Sequence, residues 1–284
     1  MKLKAYAKLN LALDIIGQYP NGMHELDMLM QNISLADELT VVRADGLALL
    51  CDGMEAQGDN TVLRAARLFF EKTGITGGAK ITLEKRIPSQ AGLGGGSSDA
   101  AATLAALDRI YETHLSKKVL KEIGVGIGAD VPFFIEGGCM RARGVGEVLS
   151  PAENRCGFAY LLVKPEGGVP TGQAYGVFHE LPKETVDMDG IADALAKGDV
   201  RRYFSLANNA LMPAGIRICP EVSDVICACR ALGADFAMMT GSGSCVFAIF
   251  PEEALQGAQA VLDKRYPFCV AAEERGAGYE IIRE

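Results

Sequence analysis

Nothing in this chain is spaced like a zinc site. Its eight cysteines fall at 51, 139, 156, 219, 227, 229, 245 and 269 with no Cys-x-x-Cys pair, and it has only three histidines. That pattern excludes a zinc module and fits reduced thiols in a cytoplasm; Cys227 and Cys229 are expected to pack on a helix. No apolar run approaches the ~18 residues of a membrane span. Met1-Lys2-Leu3-Lys4 leads into Tyr6, Lys8 and Asn10 without an apolar signal core or a small-residue cleavage site. The chain is therefore expected to be cytoplasmic, with the sequon Asn32-Ile33-Ser34 fortuitous. A broad positive field is missing too. With 28 Lys+Arg against 36 Asp+Glu the net charge is −8, which argues against a general nucleic-acid or membrane-surface binder. An anionic ligand would have to be held by local lysines, backbone N–H groups and a metal.

What is present fits a soluble globular protein. The 284 residues are 49% hydrophobic and 23% charged, enough for one large or two ordinary domains with ample core. Lys2–Gln18 alternates as a strand, with Lys4, Tyr6, Lys8 and Asn10 on its polar face, and Tyr19–Gly22 is a turn. Strands are expected at Met28–Leu35, Glu38–Val42, Lys80–Lys85 and Phe158–Lys164. Helices are expected at Asn60–Lys72, stopped by Gly74, and at Asp99–Glu112, Ser116–Ile123, Thr171–Phe178, Ile191–Ala196, Val200–Ala207 and Glu221–Leu232. The last third reads as strand Asp235–Met239, a loop over 240–244, strand Cys245–Phe250, helix Pro251–Arg265 and a final strand within Cys269–Ile281. That order suggests a small split βαβ sandwich. A domain boundary is expected near Pro151, giving halves 1–150 and 151–284.

The segment of greatest chemical content is Pro88-Ser-Gln-Ala-Gly-Leu-Gly-Gly-Gly-Ser-Ser-Asp99, running straight into the alanine-rich Ala100–Leu107. Four glycines (Gly92, Gly94, Gly95, Gly96) clear side chains where something must approach the backbone. Ser97, Ser98 and Asp99 can each cap the helix that the alanines favour. A glycine-rich loop feeding a helix N-terminus offers unpaired N–H groups and the positive end of a dipole to an anion. It is not a Walker A loop, because no lysine follows Gly96. It lacks the third glycine of a dinucleotide fingerprint, having Ser97 there. A protein-kinase set is absent as well: no His-Arg-Asp occurs, and Asp235-Phe236 is followed by Ala237.

Three further segments carry chemistry. On a strand, Lys8 and Asn10 share a face and could steer a hydroxyl and neutralise phosphate; spacing alone favours a solvated strand face. Asp130, between a glycine turn and Val131-Pro-Phe-Phe134, could be a base, a metal ligand or a cap for the turn begun by Pro132. Thr240-Gly-Ser-Gly-Ser244 could close over a substrate or be a plain turn between strands.

Taken together, in this order, these segments resemble the GHMP kinases. The marks are Ala7–Leu11, Asn21-Gly-Met-His-Glu-Leu26 followed by Gln31, Gly92–Ala101, Gly128–Phe134 and Thr240–Cys245. The resemblance spans residues 5 to about 250. It implies an α+β fold of two domains, the N-terminal one like the second domain of ribosomal protein S5 and the C-terminal one a ferredoxin-like split βαβ. It also implies an ATP-dependent small-molecule kinase using Mg²⁺, most similar to members that phosphorylate the 2-hydroxyl of a cytidine-diphosphate-linked methylerythritol in isoprenoid synthesis. By motif match, Pro88, Ser89, Gln90, Ala91, Gly92, Leu93, Gly94, Gly95, Gly96, Ser97 and Ser98 bind the ATP phosphates. Asp130 takes the hydroxyl proton, and Lys8 lies beside both Asp130 and the moving phosphoryl. Asn10 and Thr171 match substrate-side polar positions, His24 a hydrogen-bond partner of cytosine and Tyr175 an aromatic that stacks on it. Met23 stands where the family has tyrosine, and a thioether can still pack on a base. Asn208-Asn209-Ala210-Leu211 also departs from the family pattern, a difference read as neutral. Metal ligands are unmarked apart from Ser97 as a candidate, and oligomeric state is unreadable. The alternatives are a mevalonate- or homoserine-type sister kinase, against which His24 and Tyr175 count, and a non-catalytic nucleotide-binding regulator, against which Lys8 and Asp130 count.

Overall fold

The computed structural model describes residues 1–55, 60–182 and 184–283. The first strand, β1, spans Lys2–Gln18 as its alternation predicts, and a turn leads into β2, His24–Ala44. The two strands expected at Met28–Leu35 and Glu38–Val42 are thus one strand of 21 residues. Ala36 and Asp37, between them, pair in register with Tyr6 and Ala5, and a bulge lies just before, where the pairing jumps from Tyr6–Ala36 to Ala7–Ile33. Such a bulge reverses which face successive side chains occupy. Leu3 and Ala5 pack into one hydrophobic cluster, whereas Ala7, Leu9 and Leu11 pack into a second. Another shift between Asn10 and Ala12 returns Leu13 and Ile15 to the first. Lys8 and Asn10 consequently lie inside the protein, 4% and 1% exposed. The solvated face that spacing favours for them is corrected by these bulges.

The next elements complete the first half. The small strands β3 (Ala48–Cys51) and β4 (Met54–Glu55) precede helix α1 (Thr61–Thr73). Asn60 caps α1 by accepting from Val62 N at 2.8 Å, and Gly74 ends it at φ 68°. Strand β5 (Gly78–Glu84) pairs with β2 and leads to helix α2, Gly95–Ile110. Helix α2 begins four residues before the expected Asp99, and its alanines pack against β1 and β2. Helix α3 (Lys117–Val125) is capped by Ser116, and the short α4 covers Val131–Glu136. A hairpin of β6 (Cys139–Gly144) and β7 (Val148–Pro151), which the sequence does not signal, pairs with β2.

The second half follows the expected order more closely. It contains β8 (Ala159–Lys164), α5 (Thr171–Phe178), α6 (Met188–Lys197), α7 (Val200–Leu206), α8 (Met212–Ile218) and α9 (Glu221–Ala231). After these come β9 (Phe236–Met239), β10 (Val246–Ile249), α10 (Glu252–Leu262), β11 (Phe268–Arg275) and β12 (Tyr279–Arg283). Helix α8 is unheralded, and Cys227 is exposed on α9, so only Cys229 packs. The sheet order β11-β8-β10-β9, all antiparallel, with α9 and α10, is the split βαβ expected. Strand β11 also pairs with β2 through Glu274 and Arg275, joining the halves into one sheet. The single final strand expected is two, because β12 turns back and pairs with β1. Asn32 of the sequon is fully buried and donates to Ala7 O. The architecture is α+β.

Candidate active site

One cavity of about 810 Å³ draws its walls from both halves. The glycine stretch forms one wall. Gly94 is the N-cap of α2 at φ 73°, and with no side chain it leaves the first-turn N–H groups open to a ligand. A Cβ there would lie 2.7 Å from the Phe134 ring and 3.1 Å from Lys8 Cγ; one on Gly92 would lie 2.1 Å from Thr240 O. These glycines are therefore needed for close backbone approach as well as for positive φ. The expected serine and aspartate caps do not form. Ser98 Oγ instead donates to Tyr6 O at 2.6 Å, fastening α2 to β1. Pro88 through Ser97 line the cavity, while Ser98 is fully buried behind it.

Lys8 and Asp130 meet beside this loop, Nζ to Oδ2 at 3.9 Å. Lys8 N donates to Leu93 O at 3.0 Å, and its ammonium donates to Asn10 Oδ1 at 2.5 Å. Asn10 is fixed in turn, since its backbone N donates to Thr240 Oγ1 at 2.8 Å. Burial holds the Lys8 ammonium below its ordinary pKa, and the Asp130 carboxylate opposes that fall. Asp130 stands at the N-cap position of α4 yet makes no side-chain cap bond, so its carboxylate stays directed to the cavity. The capping role expected as one alternative is thus absent.

Met23, His24, Thr171 and Tyr175 line the same cavity. Met23 is 46% exposed. His24 stacks on Tyr175 with ring centroids 4.3 Å apart and planes 19° from parallel. His24 Nε2 lies 2.8 Å from Nε2 of His179. Burial and the Asp130 charge raise the Tyr175 phenol above its ordinary pKa, so it stays a neutral donor. Thr171 Oγ1 and Ser242 Oγ are 3.0 Å apart, linking α5 to the turn after β9.

Several contributors escape a sequence reading. Lys85 bridges Asp37 and Asp99 beneath the glycine loop, 2.7 Å from Asp99 Oδ2. Burial outweighs Lys85 and pushes the Asp99 carboxyl up to about 7, and its Oδ1 has no partner. Asp37 also accepts from Arg86 N and Ile87 N, setting the chain's approach to the loop. Asn209, in the segment read as neutral, is fully buried and donates to Met239 O and Gly241 O, both at 2.8 Å. Asn60 and Thr61 line the cavity; the sequence marks Asn60 only as the start of a helix, and Thr61 also donates to Gly96 O.

The sequence matches the GHMP kinases N terminal domain over residues 60–138 and the GHMP kinases C terminal domain over residues 191–267. It is 39% identical over 259 residues to the 4-diphosphocytidyl-2-C-methyl-D-erythritol kinase of Desulfitobacterium hafniense (strain Y51), covering 89% of this chain and 88% of the relative. The enzyme of that name from Pelotomaculum thermopropionicum is 40% identical over 250 residues, with coverages of 86% and 87%. A crystal structure of 4-(cytidine 5'-diphospho)-2C-methyl-D-erythritol kinase superposes with a TM-score of 0.81 at 35% identity, covering 98% of this chain and all of that one. A homoserine kinase from Cytophaga hutchinsonii shares the fold, with a TM-score of 0.79 at 20% identity. Sequence, fold and relatives thus agree that the chain belongs to the GHMP kinases, among the 4-diphosphocytidyl-2-C-methyl-D-erythritol kinases.

Proposed function

We propose that this chain moves the γ-phosphoryl group of ATP onto the 2-hydroxyl of 4-diphosphocytidyl-2-C-methyl-D-erythritol, in the non-mevalonate route to isoprenoid precursors. The observation that carries the reading is the single cavity. It brings together the Lys8–Asp130 pair, an open helix N-terminus and an aromatic surface suited to a base. Residues 1–150 hold ATP and residues 151–284 help to hold the acceptor, with β12 returned to the first half.

Phosphoryl transfer asks mainly for positioning and charge stabilisation. The N–H groups at the start of α2 hold the phosphate oxygens. Asp130 accepts the proton of the acceptor hydroxyl as its oxygen bonds to the γ-phosphorus and ADP leaves. Lys8, kept in place by Asn10, offsets charge on the transferring group. Asn10 and Thr171 face the acceptor's polar groups, while Tyr175, His24 and Met23 hold its cytosine.

Among the described residues no group of three or more His, Cys, Asp or Glu could hold a metal. That fits Mg²⁺ carried largely by nucleotide phosphates, with the Ser97 hydroxyl as the protein's contribution. When bound, the ion supplies neutralisation of phosphate charge. The reading places the enzyme in the cytoplasm; among the described residues no helix is long and apolar enough to cross a membrane.

The test is ³¹P NMR of the purified chain with ATP, Mg²⁺ and, separately, the cytidine acceptor, mevalonate and homoserine. Phosphorylation of the cytidine acceptor alone is expected. Turnover of mevalonate or homoserine in its place would overturn the substrate while leaving the family intact.

A further inference from the structure

The base end of the cavity is occupied by the protein's own rings. Tyr175 and His179 stand one helical turn apart, at position five and the C-cap of α5, and so project on one side of it. His24, from the first residue of β2, lays its ring on Tyr175 and lies 4.9 Å, centroid to centroid, from the His179 ring. The three rings form a continuous array, of which His24 and Tyr175 line the cavity. A flat base can stack on this face of Tyr175 only by displacing His24, because a stacked pair at 4.3 Å leaves no room between its members. One contact that holds His24 there is the 2.8 Å Nε2–Nε2 approach to His179. Such a bond requires one imidazole to carry its proton on Nε2 and the other to be bare there.

We infer that His179 is a positioning residue: it latches His24 over Tyr175 and sets how tightly the cavity takes an acceptor carrying an aromatic base. The inference rests on the cytidine acceptor proposed above. While the latch is shut, the competent state is only a fraction of the population, and apparent affinity is reduced by that fraction. The device also selects. An acceptor without a base has nothing to exchange for the His24–Tyr175 stack, whereas a cytosine replaces one ring stack with another. His179 itself is exposed and outside the residues proposed to touch the reacting groups.

The test uses cytidine monophosphate as probe with the wild type, His179→Ala and His179→Gln. In the ligand-free wild type, ¹H–¹⁵N spectra of the imidazoles are expected to show an Nε2–H shared between His24 and His179. That signal disappears in His179→Ala. Calorimetry is expected to show cytidine monophosphate binding roughly three- to tenfold tighter to His179→Ala, the range one exposed hydrogen bond allows. His179→Gln, which keeps a hydrogen-bonding group, returns towards wild-type affinity, and kcat and the KM for ATP do not change. A missing Nε2–H signal in the free wild type would overturn the latch whatever the substrate. Equal or weaker binding by His179→Ala would overturn it too, showing that His179 is idle or touches the ligand. Failure of the wild type to bind the probe, with the Nε2–H signal present, would instead strike the cytidine reading and this inference with it.

Discussion

The two ends of the cavity are built by opposite means. Where phosphate is proposed to bind, Lys8, Asn10 and Ser98 are buried and cross-braced. Lys8 is tied to Leu93 and Asn10, Asn10 to Thr240, and Ser98 to Tyr6, while Gly92 sits against the Thr240 carbonyl. Where the base is proposed to bind, the parts are half-buried or exposed, and their ties include a ring stack, an imidazole pair and a hydroxyl pair. Groups that must meet a developing charge gain most when fixed in advance, because no reorganisation is then left for the reaction itself. Groups that grip a remote part of a substrate can move without cost to the chemical step. A tyrosine-to-methionine difference is therefore tolerable at position 23, whereas an added methyl at Gly92 is not.

The sharpest way to break this contrast is Asp130→Asn. Loss of a positioned proton acceptor is expected to lower kcat by about a thousandfold, with circular dichroism unchanged, since Asp130 caps nothing. Acceptor KM should move little. Gly92→Ala tests the bracing itself. A methyl 2.1 Å from Thr240 O at φ 72° forces the two loops apart, at a cost of about 2–4 kcal/mol. A fall in melting temperature and a loss of the thermal shift given by ATP should both be seen.

Tyr175→Ala probes the other end. Removing one face of a base stack costs about 1–3 kcal/mol, so acceptor KM should rise roughly tenfold or more while the KM for ATP stays put. Asp99→Asn probes the support beneath the glycine loop. Burial raises the Asp99 carboxyl from 3.8 to about 7, so the folded state holds a proton that the unfolded chain has lost. The stability this confers is present below about pH 4 and lost as pH rises to about 7. The melting temperature of Asp99→Asn relative to wild type should therefore climb across that window and level off above it.

Legibility followed the range of the interactions. The helices expected from Asn60 and Ser116 and the split βαβ of the second half are set by residues close together in sequence, and the structure contains each. Lys8 and Asn10 look like a wet strand face because alternation assumes an unbroken ladder. Only pairing with β2, more than twenty residues on, introduces the bulges that turn them inward. The start of α2 is misplaced for a similar reason. Ser97, Ser98 and Asp99 have capping chemistry, but the Ser98 hydroxyl goes to Tyr6 O and the Asp99 carboxylate to Lys85. The Lys85 bridge from Asp37 to Asp99 and the pairing of His24 with His179 link distant segments and leave no local pattern. Asn209 is hidden in the same way, its partners lying beyond position 238.

The contrast between a fixed phosphate end and an adjustable base end is tested most directly by a crystal structure of the complex with a non-hydrolysable ATP analogue and the cytidine acceptor. The expected result leaves Lys8, Asp130 and the Gly92–Ser97 backbone within about 1 Å of their present places. The cytosine would lie on Tyr175 where His24 now lies, and the acceptor's 2-hydroxyl within hydrogen-bond reach of Asp130. A remodelled glycine loop, or a cytosine bound elsewhere with His24 still stacked on Tyr175, would contradict it.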